Sequence, residues 1–177
     1  MRSSYKIVDN EGIYFVSSTI IEWISVFTQE KYFKILTDSL NFCRIEKDMK
    51  IYYYVILDNH FHLIVSHPKL SDVMRSLKGF TADIILDELK NDKCRCKLDL
   101  MKYYKKQHKQ TTFQVWQEGF HPQMISSVEM LNQKVEYIHY NPIKRGFVNK
   151  PEHWKYSSVN NKNWDGSIII KLDEVEI

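Results

Sequence analysis

The stretch YYYVILDNHFHLIVSHP, residues 52 to 68, is dominated by β-branched, aromatic and aliphatic residues, the composition of buried strands. Asp58-Asn59 is a turn-forming pair that divides it into KIYYYVIL and HFHLIVS, so the run reads as a β-hairpin. Side chains at i and i+2 of a strand share a face, so His60 and His62 stand side by side while Phe61 turns to the other face. Histidines at a strand start can simply be polar and exposed. In so apolar a strand, a spaced pair is better read as two metal ligands, although two ligands do not close a site. His67 has the parity of Phe61 and faces away.

The flanking text supplies the partners this hairpin needs. GIYFVSSTI, residues 12 to 20, has strand composition. From about Gln29 a helix follows, with Phe33, Leu36, Leu40 and Cys43 on one face and Thr28 as its N-cap. After the hairpin, Ser71 is expected to cap a second helix with Val73, Leu77, Phe80 and Ile84 as its stripe. Residues 91 to 112 read as a basic connector, and VWQEGFHPQMI supplies a last strand that Pro122 confines to a sheet edge. Ser126 and Glu129 form a capping box for a final helix with Leu131, Val135 and Ile138 on its buried stripe. Pro142 should stop that helix at Asn141. The predicted class is α+β: a ferredoxin-like β-α-β-β-α-β antiparallel sheet, helices on one face, with an added C-terminal helix. One domain over residues 1 to 177 is expected, with a core at about 12 to 145 and a tail from 146 to 177.

With 44% hydrophobic and 14% aromatic residues, a 177-residue chain can bury a substantial core. No apolar run approaches the roughly 20 residues that span a bilayer, and no secretory stretch follows Met1. A soluble cytoplasmic protein is expected. Three cysteines cannot form a fully paired disulfide framework, and Cys94-x-Cys96 lacks the second pair of a metal site. The net charge of +3 argues little, but its distribution argues more. KNDKCRCKLDLMKYYKKQHK and NPIKRGFVNKPEHWKYSS interleave cations with rings, as a single-strand nucleic-acid surface does; ordinary solvated loops have the same composition. No Walker loop, dinucleotide fingerprint or G-x-S-x-G elbow is present.

On the final helix Lys134, Tyr137 and Asn141 are spaced by three and four residues and line a stripe beside the buried one. If this helix packs on the sheet face bearing His60 and His62, the Tyr137 hydroxyl enters the site and Asn141 brings an amide oxygen. Alone, a tyrosine there is more often a packing residue. His139 falls on the opposite flank, and Tyr140 becomes the nucleophile only if the helix is rotated.

The segments NHFHLIV, VWQEGF, YIHYNPIKRGFV and PEHWKYSS, in that order, resemble the single-tyrosine transposases with a His-hydrophobic-His motif, especially the REP-associated tyrosine transposases. The resemblance runs from about Tyr14 to Ser158. It implies Tyr137 as nucleophile, His60, His62 and Asn141 as ligands of Mg²⁺ or Mn²⁺, and single-stranded or hairpin DNA as substrate. Relatives often carry Gln where this chain has Asn141. The implied reaction nicks and rejoins DNA through a 5′-phosphotyrosine and a free 3′-hydroxyl, and an unperturbed phenol, ionising near ~10, needs assistance for the attack. Lys78, Lys134, Lys144 and Arg145 are candidate phosphate contacts and Trp154 or Tyr156 candidate stacking rings. The alternative for each is a solvated cation or a ring that packs the tail onto the domain, and for Trp154 packing is the better reading. Enzymes of this kind occur as homodimers or monomers. The rival reading is a non-catalytic single-strand-binding module of the same fold. A metal-dependent hydrolase lacks an acidic partner at a suitable spacing.

Overall fold

The computed structural model describes residue 7 and residues 9 to 175. Strand β1 (Tyr14–Thr19) leads through a 3-10 turn (Ile21–Trp23) into helix α1 (Glu30–Glu46). The hairpin follows as β2 (Lys50–Ile56) and β3 (His60–Ser66), then helices α2 (Leu70–Asn91) and α3 (Arg95–Tyr103). A two-residue strand β4 (Gln123–Met124) precedes α4 (Val128–Lys144). The sheet order is β2-β3-β1-β4 with antiparallel neighbours throughout.

Strand parity gives the sheet two different faces. Tyr14, Val16, Phe61, Leu63 and Val65 join Leu36, Leu40, Leu77 and Ile85 in the larger core, under α1 and α2. The opposite face packs Phe15, Val55 and Ile64 against Leu131 and Ile138 of α4. A register shift between Ile51 and Tyr53 lets both Ile51 and Tyr54 face the larger core despite their odd spacing. The tail closes the outer edge of β2: Ile56 N–H donates to Tyr156 O and Ser158 N–H to Tyr54 O, each at 2.9 Å. Arg44 forks onto Asp173 at 2.7 and 3.0 Å, tying the tail to α1.

Several element boundaries differ from the sequence expectation. Gln29, not Thr28, is the N-cap of α1, and Lys69, not Ser71, that of α2. In each case the carbonyl of the earlier or later neighbour accepts the first helical N–H groups: Gln29 O from Tyr32 and Phe33, Lys69 O from Asp72 and Val73. The buried stripe of α2 continues through Thr81, Ile85 and Leu89, leaving Phe80 61% exposed, because the contact with α1 and the sheet runs one position further round the helix. The basic connector contains α3, anchored by fully buried Met101.

The expected last strand is mostly irregular. Residues 115 to 120 follow β1 through single bonds, Gln117 N–H to Thr19 O and Ser17 N–H to Phe120 O. Left-handed backbone at Gly119 (φ 75°) and His121 (φ 36°) breaks the ladder there, and β4 begins only after Pro122, at the sheet edge. Ser127, one residue beyond the expected Ser126, caps α4, its Oγ accepting from Met130 N–H at 3.2 Å.

The helix also does not stop before Pro142. It runs on to Lys144 with Pro142 buried inside its last turn. A proline so near the C-terminus removes one backbone bond where carbonyls are already losing their partners, and Arg145 N–H still closes onto Asn141 O at 3.1 Å. Asn141 is thereby held in helical geometry, one turn beyond Tyr137.

Candidate functional site

Antiparallel pairing sets Ser17 opposite His62 and Thr19 opposite His60, so the two imidazoles emerge beside β1 on the α4 face. Their ring centroids lie 5.0 Å apart, and each residue is 6% exposed. Second partners orient both rings. Asn59 Nδ2 donates to Trp23 O at 2.8 Å, which turns its Oδ1 toward His60 Nδ1 at 2.7 Å. His60 Nδ1 must therefore carry the proton and leave Nε2 as a lone pair. His62 Nδ1 shares a 2.6 Å hydrogen bond with Ser17 Oγ. Its Nε2 is buried with no hydrogen-bond partner; among the described residues only Ser18 Oγ shares that condition.

Burial keeps both rings neutral. It pushes His60 down to about 4, with Arg145 adding to the effect and Asp58 opposing it. It pushes His62 down to about 3, with His60 and Lys134 adding to the effect. Two adjacent neutral imidazoles, one with an orphaned Nε2, are a donor set that suits a divalent cation. No three His, Cys, Asp or Glu side chains cluster among the described residues, so a third protein ligand here would be of another type.

Helix α4 brings its stripe onto this face because Leu131 and Ile138 pack against Phe15, Val55 and Ile64. The Tyr137 ring lies 5.1 Å from that of His62 at 72°, and 5.9 Å from Phe15. Tyr137 is 39% exposed, so its ring touches the site while the residue stays open to solvent. Asn141 is buried on the same helix. Lys134 Nζ sits 4.7 Å over the Phe15 ring, Lys144 Nζ 5.3 Å over the Tyr137 ring, and Arg145 Nη2 3.2 Å from Asp58 Oδ1. Three of the four expected cations thus surround the histidine face.

Lys78 is placed elsewhere. On α2 it donates to Gln117 O at 2.6 Å and Gly119 O at 2.5 Å, and burial pushes its ammonium down to about 8. It holds the irregular segment beside β1. Trp154 and Tyr156 are packing residues: Trp154 Nε1 donates to Ile56 O at 2.9 Å, and Tyr156 stacks on Phe33 at 3.8 Å. His139 meets Ser158 and Tyr53, away from Tyr137. His67 Nδ1 accepts from Lys69 N–H at the start of α2.

Four site residues lay outside the sequence reading. Ser17 becomes visible only once the β1–β3 register is known, and Phe15, stacked on His62 at 5.3 Å, likewise. Asn59 reads from the sequence as a turn residue, yet its side chain orients the neighbouring His60 ring. Trp23 has its ring 5.4 Å from that of His60. It lies with Glu22 on consecutive left-handed backbone, at φ 56° and 49°. Such strain, of about 1–2 kcal/mol per residue, carries no sequence signature in a tryptophan.

No protein-family model matches the chain. A Haemophilus influenzae protein assigned by name to the REP-associated tyrosine transposases is 24% identical over 176 residues, covering 91% of this chain and 92% of the relative. A solved structure of a REP-associated tyrosine transposase bound to a REP hairpin superposes with a TM-score of 0.69 at 18% identity, covering 100% of this chain and 94% of that one. Along nearly its whole length, therefore, this chain is similar in sequence to one REP-associated tyrosine transposase and shares the fold of another.

Proposed function

We propose that this protein nicks and rejoins single-stranded DNA at hairpin or repeat sequences, with Tyr137 as nucleophile. The observation that carries the reading is the ring contact of Tyr137 with His62, beside the unpartnered His62 Nε2. The strand order is read as ferredoxin-like, with α4 as the added helix that delivers the tyrosine.

His60, His62 and Asn141 would hold Mg²⁺ or Mn²⁺, whose charge withdraws electron density from the scissile phosphate and offsets charge developing in the transition state. Asn59 and Ser17 fix the imidazole rings for that task. Tyr137 Oη attacks phosphorus, its proton passes to solvent, and the bond from phosphorus to the 3′ oxygen breaks. That oxygen takes up a proton and leaves as a free 3′-hydroxyl, while the 5′ end stays on Tyr137 as a phosphodiester. Attack on this phosphotyrosine by another 3′-hydroxyl restores the DNA linkage and frees Tyr137. Lys144 over the Tyr137 ring, with Lys134 and Arg145, would attract the phosphate backbone.

The test is direct. Protein, Mn²⁺ and end-labelled single-stranded hairpin DNA should give a protein–DNA adduct that survives denaturation and a product with a new 3′-hydroxyl. Binding without adduct across varied hairpins would leave a single-strand-binding module instead.

A further inference from the structure

We infer that Trp23 is a stacking platform for a base next to the reacting phosphate. The inference rests on the proposed DNA reaction and adds a recognition residue to it. In the 3-10 turn after β1, Ile21 and Ile24 are buried at 3% and 9% exposure, whereas Trp23 between them is 55% exposed. The outward position follows from the backbone. Glu22 and Trp23 both hold positive φ, and Trp23 N–H still closes onto Ile20 O at 3.1 Å. A turn of ordinary geometry would not need two such residues in succession, and strain of this kind persists where the surroundings enforce it.

Asn59 does the enforcing. Its amide donates to Trp23 O while its carbonyl oxygen accepts from His60, and its own backbone oxygen accepts from Ile20 N–H at 2.8 Å. One buried side chain therefore sets both the orientation of His60 and the position of the tryptophan beside it. Trp23 offers a large, half-open aromatic surface at the edge of the histidine pair, its ring 5.4 Å from that of His60. An exposed aromatic ring beside a reacting centre is what an unpaired base stacks on, whatever its identity.

The experiment measures affinity of the full chain in EDTA, by fluorescence anisotropy, for a single-stranded oligonucleotide and for copies carrying one abasic nucleotide at each position. Trp23→Ala is expected to bind the intact oligonucleotide about 10-fold more weakly, and Trp23→Phe to recover most of the loss. One abasic position should weaken wild type and leave Trp23→Ala unaffected. Equal binding by wild type and Trp23→Ala overturns the inference and leaves the DNA reaction standing. So does a loss in Trp23→Ala that no abasic position reproduces in wild type. Failure of wild type to bind any single strand removes the proposed reaction and this inference together.

Discussion

Arg145, the C-cap of α4, lies 3.2 Å from Asp58 in the turn between β2 and β3, joining the tyrosine helix to the histidine hairpin. Asp58 is held from its other side by Ser25 Oγ at 2.5 Å. With Arg145 40% and Asp58 17% exposed, the pair contributes roughly 0.5 kcal/mol to stability. Under the proposed reaction its larger effect is on the alignment of Tyr137. Asp58→Asn should leave the melting temperature within a few degrees of wild type, yet slow adduct formation about 10-fold in single-turnover assays, since small displacements of reacting groups are costly. An unchanged rate would show that the tether does not align Tyr137.

Tyr137→Phe should abolish the covalent adduct and keep DNA affinity within about 2-fold, because only the hydroxyl oxygen is lost. An adduct retained in this variant and absent in Tyr140→Phe would move the nucleophile to Tyr140.

Metal affinity tests the proposed ligands. Isothermal titration with Mn²⁺ should show binding to wild type, at least 10-fold weaker binding to His60→Ala and His62→Ala, and an intermediate loss for Asn141→Ala. Full Mn²⁺ affinity in His60→Ala would refute the ligand assignment.

The buried histidines give the metal-free protein a pH signature. In the unfolded chain each accepts a proton near ~6.5, whereas the folded chain holds His60 at about 4 and His62 at about 3. The unfolded state binds more protons below 6.5, so stability falls as pH drops from about 6.5 toward 4. Chemical denaturation in EDTA should show this loss, reduced in His62→Phe. A flat profile over that window would mean the rings protonate in place.

Ser127→Ala should cost about 1 kcal/mol, because Ser127 Oγ caps α4, while Ser126→Ala should cost far less. Equal losses would favour the capping box expected from Ser126 and Glu129.

That one-residue shift marks where sequence periodicity loses resolution. The histidine pair was legible because a strand alternates strictly, so His60 and His62 share a face wherever the strand ends. The tyrosine stripe was legible because Leu131 and Ile138 fix the rotation of α4. Caps and ends depend instead on single carbonyls, and composition does not distinguish Ser126 from Ser127. Pro142 was read as a stop because the rule for its neighbour ignores tertiary packing, and here the proline is buried with Ile138. Trp23, Ser17 and Asn59 join the site through a strained turn and an interstrand register, both of which arise only when distant segments meet.

The sheet's two unequal faces divide labour in a way that matters for change over time. Most of the apolar burial among the described residues lies beneath α1 and α2, on the side away from His60, His62 and Tyr137. Substitutions around the histidine face therefore disturb the smaller store of stability, and losses there can be offset by compensating changes behind the sheet. Under the proposed reaction, a chain built this way can diverge in the sequences it recognises while its scaffold tolerates the experiment.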